Sequence, residues 1–306
     1  MHKPTLHRVY SPSQGEDRAL SRIGWALLAY LLTGILVQAG VLLAARVWLP
    51  WLARDPLFQW LLSVCSSYGV SFPVFVCVLG RGGDDPERQG EVLSPGRLGE
   101  TYCIALAVLY GGSAVGAILR GLLGTVTGWW GTDPVESILS YPLPLSLLLT
   151  GALAPIFEEL MFRGLILERL RRYGDGFAVA ASALLFGMVH GNLFQMPYAC
   201  AVGVVLGWVA VHTGRLWQCI LLHAGINLLS SGVFPLAERL GIGAPVYAGI
   251  WLLVGIGVWR LIARRGELGQ LVRTMGSPGW GRLLRSPGML AFSVWTVLSC
   301  LFYLIA

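Results

Sequence analysis

Charge is what this sequence has least of. Acidic and basic side chains together make up 12% of its 306 residues, about half the share found in an ordinary soluble domain. Hydrophobic residues make up 55%, and the mean hydropathy is +0.67. So little charge excludes a water-facing globular surface, and most of the outer surface must face lipid. Paired cysteines are missing too. Cys65, Cys77, Cys103, Cys200, Cys219 and Cys300 all fall within apolar runs and none forms a CxxC pair. That excludes a disulfide framework and a zinc ribbon, and leaves the cysteines as small core residues. There is no His-Glu-x-x-His, the commonest zinc-protease signature, and no Gly-x-Ser-x-Gly. No aspartate lies well inside an apolar run, so Ser/His/Asp catalysis has no support. No polar segment interleaves basic residues with aromatics, which removes nucleic acid as a partner.

What is present is a succession of apolar runs. The first, from Ile23 to Ala45, exceeds the ~7–15 residues of a signal-peptide core and reads as a retained transmembrane helix. Others follow at 57–79, 101–119, 143–168, 177–191, 197–213, 216–231, 245–263 and 288–305. The runs at 177–191 and 216–231 fall short of the ~20 residues needed to cross a bilayer core. The fold class expected is therefore an all-α, polytopic transmembrane helix bundle of eight or nine spans. A polar tail occupies 1–22, N-terminal spans and loops 23–140, a polar-rich core 141–232 and further C-terminal spans 233–306. The last span reads as peripheral, and 264–287 reads as a basic Gly/Pro-rich loop. Trp129, Trp130 and Tyr141 are candidate interface anchors.

The formal net charge of +6 comes from residues between the spans, where they act as topology signals against anionic lipid headgroups. With the N-terminus inside, the inside loops hold Arg81, Arg88, Arg97, Arg169, Arg171, Arg172, Arg215, Arg264, Arg265, Arg273, Arg282 and Arg285. The outside loops hold Arg46, Arg54, Arg120 and Arg239. This asymmetry predicts a multi-pass plasma-membrane protein with a cytoplasmic N-terminus.

Three places put polar or ionisable residues at membrane depth, where each charge costs ~2.5–3.5 kcal/mol on the insertion scale and needs a reason. In Phe157-Glu158-Glu159-Leu160-Met161-Phe162-Arg163, Glu159 and Arg163 are four apart in the favourable order for an ion pair on one helix face. Glu158 sits about 100° round the helix from Glu159 and is left free to act as a general base. Phe186 and His190 share a face in the next run, and His190 precedes Gly191-Asn192, so it also reads as a helix end. His223 and Asn227 are again four apart, and both can donate hydrogen bonds to a developing oxyanion. The bland alternatives are a register-fixing charge cluster and interhelical polar glue. Helical rise puts His223 ~10 Å and Glu159 ~20 Å from the arginine-rich side, which suggests a water-filled cavity opening to the cytoplasm.

Taken in order, Glu158-Glu159-x-x-x-Arg163, Phe186-x-x-x-His190 and His223-x-x-x-Asn227 resemble the CPBP family, also called Abi. These are intramembrane glutamic endopeptidases related to the type II CAAX prenyl endopeptidases. The resemblance covers roughly 140–232. It implies that Glu158 and His190 activate a water, that His223 and Asn227 form the oxyanion hole, and that Glu159, Arg163 and Phe186 support the site. It also implies a peptide, lipidated-peptide or membrane-protein substrate and no cofactor. Two alternatives stand beside it. One is a zinc peptidase with Glu158, His190 and His223 as ligands and an open position. The other is a non-catalytic immunity or scaffold protein. A transporter would need repeat symmetry, whereas the polar cluster sits in one half only.

Overall fold

The computed structural model describes residues 14–80, 90–128, 142–277 and 279–305. Lys3 and Arg8 of the tail, Arg81 and Arg88, and the aromatic residues Trp129, Trp130 and Tyr141 lie outside them. Among the described residues all the regular structure is helical: α1 (Gln14–Trp48), α2 (Pro56–Leu79), α3 (Pro95–Thr127), α4 (Leu143–Tyr173), α5 (Asp175–Val189), α6 (Met196–Thr213), α7 (Leu216–Arg239), α8 (Gly243–Ala263), α9 (Arg265–Met275), α10 (Gly279–Arg285) and α11 (Pro287–Ile305). Eight described helices are long and apolar enough to cross a membrane, and α5 is a shorter apolar helix of 15 residues.

Local chemistry sets the helix ends. Asp55 accepts from the Phe58 amide at 2.8 Å and Pro56 opens α2, an N-cap followed by a proline whose missing N–H is no loss there. Gly214, at φ 61°, closes α6 in the left-handed conformation that glycine adopts without strain. Between α5 and α6, Asn192 Oδ1 accepts from the amides of Phe194 at 2.8 Å and Gln195 at 3.3 Å, and so fixes the turn that leads into α6.

Helix contacts fix the order of the bundle. α6 packs on α5 and α3, α3 on α8, and α1 on α2 and α11. A Cβ on Gly112 would come within 2.4 Å of Tyr198 Cα, and one on Gly116 within 2.3 Å of the Phe194 oxygen. This Gly-x-x-x-Gly face lets α3 and α6 approach at backbone distance. Two sequence expectations need correction. The 264–287 loop contains α9 and α10, because Leu268, Leu271, Val272 and Met275 recur at helical spacing. Trp280 of α10 donates to the Met275 oxygen at 2.9 Å and meets the Phe177 ring edge-on at 5.1 Å. The last span is not peripheral. Met289 and Phe292 of α11 are fully buried, and the Gly288 amide donates to Ser21 Oγ at 2.9 Å.

These contacts also sort the helix ends into two faces. Gly288 meets Ser21, the Gly90 amide donates to the Thr213 oxygen at 3.1 Å, Arg264 pairs with Glu100 at 2.8 Å, and Ser277 donates to the Tyr173 oxygen at 3.4 Å. One face therefore gathers the start of α1, α3, α5, α7 and α11 and the end of α4, α6 and α8. Although short, α5 runs antiparallel to α6, with Ala183 beside Gly203 and Val179 beside Gly207, so direction alternates through the nine described apolar helices. The gathered face carries Arg18, Arg22, Arg97, Arg169, Arg171, Arg172, Arg215, Arg264, Arg265, Arg273, Arg282 and Arg285. The opposite ends carry Arg46, Arg54, Arg120 and Arg239.

Candidate active site

The three polar segments meet in the middle of the bundle. Glu159 and Arg163 on α4 are fully buried, with Arg163 Nη1 2.8 Å from Glu159 Oε1. The local helix is not plain α: a π-helical stretch, Leu160–Leu167, begins just after Glu159, and another, Leu147–Leu153, lies a turn before the pair. Single π turns inside α-helices recur at functional sites because they re-aim the side chains around them. Arg163 Nη2 also donates to the Gly203 oxygen of α6 at 3.1 Å, and its guanidinium carbon lies 4.8 Å from the centroid of the Phe186 ring. One cation thus ties α4, α5 and α6 together, and its burial is compensated by a carboxylate, a carbonyl and an aromatic face.

Glu159 has a second partner. His223 Nδ1 lies 2.8 Å from the same oxygen, Glu159 Oε1. An ionised carboxylate only accepts, so this contact puts a proton on Nδ1 and turns Nε2 away from the pair. His223 Nε2 is 3.7 Å from Glu158 Oε2. Glu158 is the more accessible of the two glutamates, half-buried with its side chain 27% accessible. Adjacent carboxylates thus sit in opposite environments: one is locked in the protein, the other faces a cavity.

That cavity, of about 450 Å³, is lined by Glu158, His190, His223 and Asn227 together with residues of α3, α4, α6 and α7. It falls within the ~300–1,000 Å³ range of ligand-binding pockets. His190 follows the last residue of α5, its Nδ1 2.7 Å from the Phe186 oxygen. As Nδ1 must donate to that carbonyl, Nε2 is the free acceptor. Asn227 Nδ2 donates to the Thr150 oxygen at 2.9 Å, linking α7 to α4. The Phe186 ring stands edge-on to Phe162, His190 and His223, with centroids 5.1, 5.0 and 5.6 Å away. It is the apolar hub on which the polar side chains are mounted.

Among the described residues, no group of three or more His, Cys, Asp or Glu side chains is arranged to hold a metal ion. Glu158, His190 and His223 share a cavity but do not fit as zinc ligands in this arrangement.

Sequence reasoning missed several cavity residues. Tyr110 and Ser113 of α3, Thr150 of α4, Tyr198 of α6, Ser230 of α7 and Gln195, just before α6, line it. None belongs to a motif. Their only signal is that hydroxyls and amides recur at one level of otherwise apolar helices. The depths inferred from helical rise also need adjustment. Leu216 lies against Gly164, 3.7 Å from where its Cβ would be, so α7 starts well inside the end of α4 and His223 arrives level with Glu159. The cavity does not run toward the arginine-rich face. From Glu158 and His223 its lining continues to Thr150, Gln195, Ser230 and Phe234, all toward the other ends of their helices.

Residues 140–229 match the family model described as "Type II CAAX prenyl endopeptidase Rce1-like". The chain is also 26% identical over 141 residues to the Bacillus subtilis (strain 168) protein named "Putative membrane peptidase YdiL", covering 43% of this chain and 58% of that relative's length. No solved structure matches the chain. The matched segment holds Glu158, Glu159, Arg163, Phe186, His190, His223 and Asn227, and over that segment the protein is similar to the Rce1-like type II CAAX prenyl endopeptidases.

Proposed function

We propose that this protein is an intramembrane endopeptidase that hydrolyses peptide bonds of membrane-associated or lipidated substrates with a water activated by Glu158. The observation that carries the reading is the division between neighbouring carboxylates: Glu159 is buried against Arg163 and His223, while Glu158 faces the cavity 3.7 Å from His223 Nε2. A buried pair alone has no use for a second glutamate turned toward a polar cavity.

The steps follow from the acceptors and donors in place. A water in the cavity gives one proton to Glu158 and is oriented through its other proton by His190 Nε2. Its oxygen attacks the scissile carbonyl carbon, and the negative charge moves to the carbonyl oxygen. Asn227, through its remaining amide proton, and His223, in its doubly protonated form, donate to that oxygen. Glu159 offsets the imidazolium charge and holds the ring in place. Collapse breaks the C–N bond as Glu158 returns its proton to the leaving amine. No covalent enzyme intermediate is formed, and no step uses a metal.

The test is turnover of a quenched lipidated-peptide panel by the purified protein in detergent. The wild type cleaves at least one peptide. Glu158→Gln keeps the shape but cannot take a proton, and loses activity by about the 10²–10⁴-fold typical of a general base, with unchanged thermal stability. If Glu158→Gln turns over like wild type, the mechanism is wrong. If wild type cleaves no peptide of the panel, the hydrolytic reading fails and the non-catalytic one takes its place.

A further inference from the structure

The direction of the cavity bears on where substrate comes from. Every described lining residue lies level with Glu158 and His223 or on the arginine-poor side of them. On α4, Thr150 and Ala154 precede Glu158. On α7, Asn227, Ser230 and Phe234 follow His223. Phe234 is eleven residues beyond His223, about 16 Å at helical rise. On the other side the floor is closed by the buried Glu159–Arg163 pair and by Phe162 and Phe186. Ser230 lines the cavity and is also exposed, so the outer part of the cavity is accessible.

The charge asymmetry orients this axis. Basic residues collect on the cytoplasmic side of membrane proteins, and here the described arginines crowd the face behind the closed floor. We infer that the site is entered from the non-cytoplasmic side, and that its substrate is an uncharged segment of an exported, membrane-anchored peptide or protein. This rests on the peptidase reading above. The lining chemistry agrees with it. Glu158 is the only carboxylate among the described lining residues, neither lysine nor arginine reaches the cavity, and Tyr110, Ser113, Gln195 and Ser230 offer neutral donors and acceptors along an otherwise apolar wall. Such a wall suits an extended backbone with small or apolar side chains. It provides no lysine or arginine to pair with a free carboxylate.

Two reporters test it in a variant of the full-length protein whose six cysteines are replaced by serine or alanine. Ser230→Cys reports the cavity, and Gln270→Cys, on exposed α9, reports the arginine-rich face. In sealed right-side-out membrane vesicles, a membrane-impermeant thiol reagent should label Ser230→Cys and not Gln270→Cys. In inverted vesicles the pattern should reverse. Labelling of both positions from one side, of Ser230→Cys from the cytoplasmic side, or of Ser230→Cys from neither side would each overturn the inference. Proteoliposomes of known orientation then separate access from chemistry. An uncharged anchored peptide should be cleaved when displayed on the Ser230 side and spared on the Gln270 side. Cleavage only on the Gln270 side overturns the inference. With the labelling pattern intact, cleavage on neither side sinks the peptidase reading and leaves the access route standing.

Discussion

Glu159→Gln isolates the charge at the centre of the site. Both Arg163 Nη1 and His223 Nδ1 bond the same oxygen, Glu159 Oε1, each at 2.8 Å, and the amide oxygen of glutamine can keep both contacts. The new amide nitrogen takes the place of Oε2, which is buried and has no hydrogen-bond partner. Shape and the two hydrogen bonds to Oε1 are preserved; what is lost is the negative charge beside a guanidinium with no exposed surface, and what is added is a buried amide nitrogen whose two donors lack acceptors. Breaking a buried ion pair by neutralising one side costs about 3–5 kcal/mol. Arg163 retains the Gly203 carbonyl at 3.1 Å and the Phe186 ring at 4.8 Å, so the lower end, about 3 kcal/mol, is expected. Arg163→Gln should do similar harm, because Glu159 then keeps only His223. The double variant should recover part of the loss, with a coupling of about 0.5–3 kcal/mol as found for residues in direct contact. Equilibrium unfolding in mixed detergent micelles measures all three. A Glu159→Gln loss below about 1 kcal/mol, or losses that simply add in the double variant, would refute the claim that this pair holds α4, α5 and α6 together.

Two further outcomes follow. Asn227→Ala should lower kcat by about 10²–10³-fold, as for one oxyanion donor, with KM little changed. A modest loss of stability should accompany it, because the Thr150 oxygen loses its partner. Chelation should leave turnover intact and the purified protein should lack stoichiometric zinc. Loss on chelation that zinc restores would mean that Glu158, His190 and His223 close around an ion in a way their present arrangement does not.

Much of the site was legible because charge at membrane depth is so unfavourable that each instance points to a partner. The four-residue spacing of Glu159 and Arg163 gave their contact directly. It could not give the contact of Glu159 with His223, 64 positions away in sequence, since that depends on how far α7 is set into the bundle. Depth counted from the start of each apolar run failed for the same reason: Leu216 begins α7 level with Gly164, not with the end of α4. The π-helical stretches in α4 were also invisible, because Leu147–Leu153 and Leu160–Leu167 read as ordinary apolar helix. The eight-or-nine ambiguity came from α5, whose 15 residues span only about 22 Å. It alternates direction with its neighbours yet falls short of a full bilayer core.

The matched segment and the cavity do not coincide, and the mismatch divides chemistry from selectivity. Every side chain placed in the bond-breaking steps lies within 140–229. Leu109, Tyr110 and Ser113, which form one wall, belong to α3 and lie outside it, as does Phe234 toward the outer end. α3 is held at backbone distance from α6 by Gly112 and Gly116 and rests on α8 on its other side, where a Cβ on Gly257 would meet the Cys103 oxygen. That wall is therefore held between α6, inside the matched segment, and α8, outside it. A change in α3 can reshape the cavity without touching Glu158 or His223. Different chains can thus keep one hydrolytic centre and vary the peptide it accepts by altering the flanking spans. On this argument, exchanging Tyr110 and Ser113 should alter which peptides are cleaved before it alters the rate on the best of them, and the same peptide panel that tests Glu158 measures that order.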